Sequence, residues 1–320
     1  VSTTQIRTRK LTPTVDYPEA VEFMNKQANI FWPDEEIKVS KDKQDILVNM
    51  TEAERHAVIT TLKLFTKYEM IIGEELWIEK VMKWFPRPEI QAMASLFGAM
   101  ELSVHAPFYR KINEELNLAT DEFYNSYTSD PVLSDRIEYI DSLLENDDVA
   151  AALGAFAFAE GAILYSSFAF LKSFQTAGKN KLLNVVSGIN FSARDEALHS
   201  EATCWLFRVY AKEAGLDLEH YRKHFTDVAA VVLEHEEKIV DKLFEKGNIE
   251  GVTKAQLIAF VKSRINVVMR NLGFDNIHKI DYNPIADTFY KSINGYAAND
   301  FFSSTGNQYS RGWSTEGFKF

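Results

Sequence analysis

The sequence predicts an all-α fold, a bundle of long helices, and three observations carry the prediction. Glycine (14) and proline (8) are scarce among the 320 residues, so turn signals are few. Apolar residues recur at a 3.6-residue period over long stretches, and strand-like alternation is hard to find. Residues 147–178 are apolar on every face, as expected of a helix at the centre of a bundle.

The elements follow in order. Residues 1–15 are expected to form a flexible arm, 16–298 a single helical domain and 299–320 a tail. A short helix covers Pro18 to Gln27, and "FWPDEEIKVSKDKQD" connects it to a long one. Thr51 and Glu54 form a capping box at the start of that long helix. It ends before Pro86–Pro88, because proline cannot continue a helix and restricts the residue before it. The next helix runs from Pro88 to about Leu118. A polar stretch with "SYTSDPVLSD" and one short helix lead to the apolar helix 147–178. After the break at "TAGKN" come helices over about 181–215, 218–246 and 254–271. The segment from Asn299 to Phe320 has no helical period.

Composition narrows the function. Hydrophobic residues make up 46% and charged ones 25%, the balance of a globular protein. No uninterrupted apolar run reaches the ~18 residues of a membrane span. The first residues lack an apolar h-region, so no signal peptide is expected. A net charge of -11 without a basic cluster argues against nucleic acid as a partner. Cys204 is the single cysteine, so no intrachain disulfide forms, which fits a reducing, cytoplasmic setting.

The informative residues are acids in apolar helices. Glu69 lies in "FTKYEMIIG", Glu101 in "FGAMELSVH", Glu160 in "FAFAEGAIL" and Glu196 in "ARDEALHSEA". His105 follows Glu101 by four residues and His199 follows Glu196 by three. A buried, unpaired carboxylate costs several kcal/mol or must be protonated. Taken singly, each acid is more often a surface or capping residue.

Their spacing changes that balance. Glu69 is 16 residues before Phe85, and Glu101 is 13 after Pro88. At ~1.5 Å per residue, an antiparallel hairpin brings the two acids to nearly the same height. In the second half, Glu160 is 16 residues before Thr176, and Glu196 is 16 after Asn180. Each hairpin thus joins a lone-Glu helix to a Glu-plus-His helix. That is the ligand set of a ferritin-like bundle with a carboxylate-bridged dimetal site. Oxygen ligands with one imidazole per metal suit two iron or manganese ions better than zinc. The other histidines lack this setting: His220 and His224 lie among polar neighbours, His235 is expected at the surface, and His56 and His278 have no acid-rich apolar context. Cys204 is expected as a packed thiol.

At these residues the chain resembles the small, radical-generating subunit of class I ribonucleotide reductase, over roughly Asn25 to Phe302. The resemblance rests on "ARDEALH", "FAEGAILYSSFAF", "IFWPDEEIKVSKD" and "NDFF". It implies Glu69, Glu101, His105, Glu160, Glu196 and His199 as metal ligands. It places Tyr109 where the family usually has its radical tyrosine. Trp32 and Asp195 match the family's radical-transfer tryptophan and aspartate, the aspartate linking Trp32 to His105. It further implies an oxidant, a tyrosyl radical or high-valent metal, made from an oxygen species and passed to a large subunit that reduces ribonucleotides. A homodimer, docking through the tail with Tyr309 or Trp313 as relay, and a flavoprotein activator supplying superoxide belong to the same expectation. Phe168 and Leu164, beyond Glu160, are placed to keep water away from the metals.

Two features depart from the family pattern. Glu69 stands where aspartate is common, and members resembling this one there include ones with manganese. The Glu101–His105 spacing is four where the family has three. One extra residue turns a helix by ~100°, and a π-bulge absorbs it. Pro107 lacks the N–H that the carbonyl of Ser103 would otherwise accept from. A widened helix is therefore predicted between Met100 and Tyr109. Two other readings share the ligands: a dimetal oxidase or monooxygenase, and a ferritin-type storage bundle. A Trp32–Asp195–His105 contact separates the first from the reductase.

Overall fold

A computed structural model describes residues 4–176 and 178–293. Those residues are helical with no strand among them, as the sequence predicts. The core is four helical rods. The first begins at Glu52, where Thr51 and Glu54 exchange both bonds of the capping box. The second begins at Pro88, the position where a missing N–H costs nothing. The third is Val149–Gly161, capped by Asp148, whose carboxylate accepts from the N–H groups of Ala150 and Ala151. The fourth is Leu183–Ala214, closed by Gly215 in the left-handed region. Helices Leu218–Leu243 and Lys254–Leu272 cover the second hairpin.

Every residue of Val149–Gly161 is buried. Its small residues let neighbours come close: Ser200 donates to the Ala157 carbonyl at 2.9 Å. By composition, Val149–Gln175 holds a window apolar enough to cross a membrane, although Glu160 and Lys172 interrupt the stretch. That window is wholly buried inside the bundle.

Two expectations are corrected. The long first helix changes type. It is α-helical over Glu52–Ile71, π-helical over Ile72–Val81 and α-helical again over Met82–Trp84. The apolar helix breaks after Gly161: Leu164 adopts a left-handed φ of 73°, and Tyr165–Lys172 forms a separate helix. The Gly161 carbonyl, left over at the break, accepts from Arg264 Nε at 2.9 Å, which stabilises the interruption. Within the expected arm, Thr4 and Ile6 are buried, whereas residues 11–16 are exposed. Ile6 is fully buried and its N–H donates to Glu213 at 2.8 Å. The tail, with Tyr309 and Trp313, lies outside the described residues.

Gly73, in the π segment, sits where the first rod meets the second. A Cβ there would lie 2.6 Å from the Cβ of Glu101 and 3.0 Å from Leu102 Cγ. Gly73→Ala is therefore expected to cost about 1–3 kcal/mol, the range for overpacking. Denaturant unfolding of the metal-free chain measures it. Unchanged stability would mean that the two rods separate freely.

Candidate metal centre

Each rod delivers its acid to one place. Glu69 comes from the last turns of Glu52–Ile71, Glu160 from the end of Val149–Gly161, and Glu196 and His199 from the middle of Leu183–Ala214. Glu101 and His105 bound the π-helical segment Glu101–His105, the widened turn predicted from their four-residue spacing and Pro107. All six side chains are at most 3% exposed.

They form two overlapping groups, each with ligand atoms within 4.8 Å of one another. One is Glu69, Glu101, His105 and Glu196; the other is Glu101, Glu160, Glu196 and His199. Glu101 and Glu196 belong to both. Glu101 faces both imidazoles, with Oε2 2.8 Å from His105 Nδ1 and Oε1 2.7 Å from His199 Nδ1.

The outer ring nitrogens explain these contacts. His105 Nε2 lies 3.0 Å from Asp195 Oδ2, and His199 Nε2 lies 2.9 Å from Gln27 Oε1. Those acceptors hold a proton on each Nε2 and turn a bare Nδ1 toward the carboxylates. A lone pair would then face an anionic oxygen, which only a proton or a cation between them relieves. Both oxygens of Glu69 and of Glu101, Glu160 Oε2, Glu196 Oε1 and both Nδ1 atoms are buried without a hydrogen-bond partner. Buried polar atoms are rarely left in that state. The donor set therefore fits a pair of divalent cations.

The electrostatics agree. Burial, with repulsion from Glu101, raises the Glu69 carboxyl well above the usual carboxylate range. Burial and then Glu196 do the same to Glu160. Glu196 is pushed up to about 8 by burial and by Glu101 and Glu69. Glu101 goes the other way: burial opposes its charge, but His105 and His199 hold it below the usual range. Burial also opposes a charge on His105, yet Glu101 and Asp195 raise its pKa well above the ordinary value. Without cations the cluster thus holds protons in their place.

The remaining predicted residues border this cluster. Trp32, 3% exposed, donates from Nε1 to Asp195 Oδ2 at 2.8 Å, the same oxygen that meets His105 Nε2. The Trp32 and His105 rings also stack at 5.7 Å. Tyr109 is fully buried and its hydroxyl donates to Ser192 Oγ at 3.0 Å. Burial first, then the nearby Glu69, keeps it a neutral phenol. Phe65 lies against Tyr109 at 4.6 Å and against Phe168 at 5.2 Å. Leu164 is buried in the break beyond Glu160, packed in the core.

Sequence reasoning missed two partners. Gln27, fully buried in Pro18–Asn29, backs His199; its signal was an amide five residues before Trp32. Trp77 donates from Nε1 to Glu160 Oε1 at 2.7 Å, and no spacing rule pointed to it. The histidines set aside stay apart from the cluster: His220 is exposed, and His56, His224, His235 and His278 are partly buried elsewhere. Cys204 is a fully buried thiol.

Four rods with buried, paired Glu and His side chains define a ferritin-like helical protein with a site fit for two metals. Known proteins narrow this further. The family described as ribonucleotide reductase, small chain, matches residues 10–284. A probable ribonucleoside-diphosphate reductase small subunit of Invertebrate iridescent virus 3 is 22% identical, covering 92% of this chain and 83% of its own. The beta subunit from Haemophilus influenzae is 24% identical, covering 84% and 80%. Among solved structures, the dimanganese(II)-NrdF of Streptococcus sanguinis shares the fold with a TM-score of 0.76 at 22% identity, covering 88% of this chain and 99% of that one. The chain belongs to the ribonucleotide reductase small chain family, as a class I ribonucleoside-diphosphate reductase small (beta) subunit.

Proposed function

We propose that this chain generates and stores the oxidising equivalent that a large catalytic subunit uses to reduce ribonucleotides to deoxyribonucleotides. The observation that carries this reading is the single Asp195 oxygen shared by Trp32 and His105. It joins the metal cluster to a tryptophan near the protein's surface, beside the half-exposed Phe31. A dimetal oxidase or a storage bundle has no use for such a link.

Glu69 and His105 would hold one metal, Glu160 and His199 the other, with Glu101 and Glu196 shared between them. Iron or manganese suits these donors, and the Streptococcus sanguinis neighbour is described as dimanganese(II). When bound, the pair supplies oxidising power drawn from an oxygen species, either oxygen itself or superoxide from a flavoprotein. Tyr109 would give up an electron to the bound pair and its phenolic proton to the buried carboxylates, Glu69 foremost, while Ser192 Oγ, accepting the phenol O–H at 3.0 Å, holds the ring in place. Phe65 and Phe168 keep water from the ring. Trp32 then relays the hole outward, while Asp195 Oδ2 holds the indole N–H and the His105 N–H in line. The working unit is proposed as a cytoplasmic homodimer that docks on the large subunit through residues 299–320, with Tyr309 or Trp313 as the relay.

Electron paramagnetic resonance of the metal-loaded, oxygen-activated chain tests this. A tyrosyl signal is expected, and Tyr109→Phe should remove both the signal and turnover with the large subunit. Full turnover in Tyr109→Phe would move the stored oxidant from the tyrosine to the metals.

A further inference from the structure

The two halves of the cluster are not equivalent, and the difference lies in residues outside the six ligands. Glu69 has both carboxylate oxygens unpartnered. Glu160 has only Oε2 unpartnered, because Oε1 accepts the Trp77 indole N–H at 2.7 Å. Trp77 is fully buried and wedged edge-on against Phe97 at 4.9 Å and His199 at 5.7 Å. It reaches Glu160 because of the π-helical segment Ile72–Val81. In a regular α-helix, eight residues carry a side chain ~80° round from Glu69. The wider turns of a π segment rotate less per residue, so Trp77 arrives on the cluster side.

We propose that Trp77 is a positioning residue that competes with a bound cation for one Glu160 oxygen, so the Glu160–His199 position holds a divalent metal more weakly than the Glu69–His105 position. The outer histidine partners act in the same sense. His105 is backed by the carboxylate of Asp195, His199 by the neutral amide of Gln27. A carboxylate behind a ligating imidazole makes it the more basic donor. The Glu69–His105 position therefore has more available oxygen atoms and the stronger nitrogen ligand. This rests on the dimetal reading above and adds an order of filling to it.

Titration of the metal-free, full-length chain with Mn(II), followed by electron paramagnetic resonance, tests the inference. The first equivalent per chain should give an isolated Mn(II) signal. The second should bind at least about tenfold more weakly, on the scale of effects from residues behind metal ligands, and convert the signal to that of a coupled pair. Trp77→Phe keeps an aromatic ring but no N–H. It frees Oε1, so the ratio of the two dissociation constants should shrink, and what remains reflects Asp195 behind His105 and Gln27 behind His199. Coupled pairs in the wild-type chain from the first addition would overturn the inference, whether or not the variant folds. So would an unchanged ratio in Trp77→Phe. Two equal sites leave the dimetal reading standing, whereas no Mn(II) uptake by the wild type would overturn both.

Discussion

Replacing Trp32 with phenylalanine is expected to lower turnover with the large subunit on the order of 10²-fold or more, the range for losing a partner in proton-coupled transfer, while metal uptake stays intact. Phenylalanine fills most of the space between His105, Phe108 and Phe191 that the indole occupies. It removes the N–H that meets Asp195 and is a harder ring to oxidise. The ligands themselves are untouched, so the resonance signal after activation should survive in Trp32→Phe. The contrast with Tyr109→Phe, which should lose that signal, separates storage of the oxidising equivalent from its exit. Asp195→Asn should do both kinds of damage. It leaves a neutral group behind His105, and losing such a partner weakens metal affinity by about 10–100-fold. Near-normal turnover in Trp32→Phe would mean that the hole leaves by another path.

The buried cluster of acids and histidines was largely legible in the sequence, and the reason is energetic. An acid inside an apolar helix is an unfavourable placement that needs a partner, so Glu69, Glu101, Glu160 and Glu196 stood out one at a time. The similar helix lengths then brought them to nearly one height. The π-helical turn at Glu101–His105 was legible too, because a four-residue spacing and Pro107 both disturb a regular helix there. Nothing comparable marked Ile72–Val81, where no proline breaks the pattern. The break at Leu164 was hidden for a related reason. Left-handed turns are usually announced by glycine or asparagine, whereas here tertiary contacts, Arg264 on the Gly161 carbonyl among them, stabilise a leucine in that conformation. Gln27 and Trp77 were missed because each acts through one hydrogen bond across the bundle, and a single sequence records no such pairing.

The metal-free chain should lose stability as pH rises from about 5 to 8, and Mn(II) should restore more at the upper end than at the lower. Glu196, pushed up to about 8 in the folded chain, keeps its proton there. The unfolded chain releases that proton above ~4.3. The folded state therefore binds more protons throughout this interval, and stability falls with pH until the folded value is passed. Glu69 and Glu160, also raised, act in the same direction. His105 adds to it: its stabilising charge is fully present below ~6.5 and is lost as pH climbs through its raised folded value. Glu101, held low, contributes stability that is lost only in acid, outside this window. Cations reverse the trend, because they bind the deprotonated carboxylates and gain affinity as pH rises. At a thousandfold excess over the dissociation constant, each bound ion adds ~4 kcal/mol. Calorimetric melting at about pH 5.5 and 8, with and without Mn(II), measures both trends. A metal-free chain that grows more stable toward pH 8 would show that the buried carboxyls do not hold protons in place of metal.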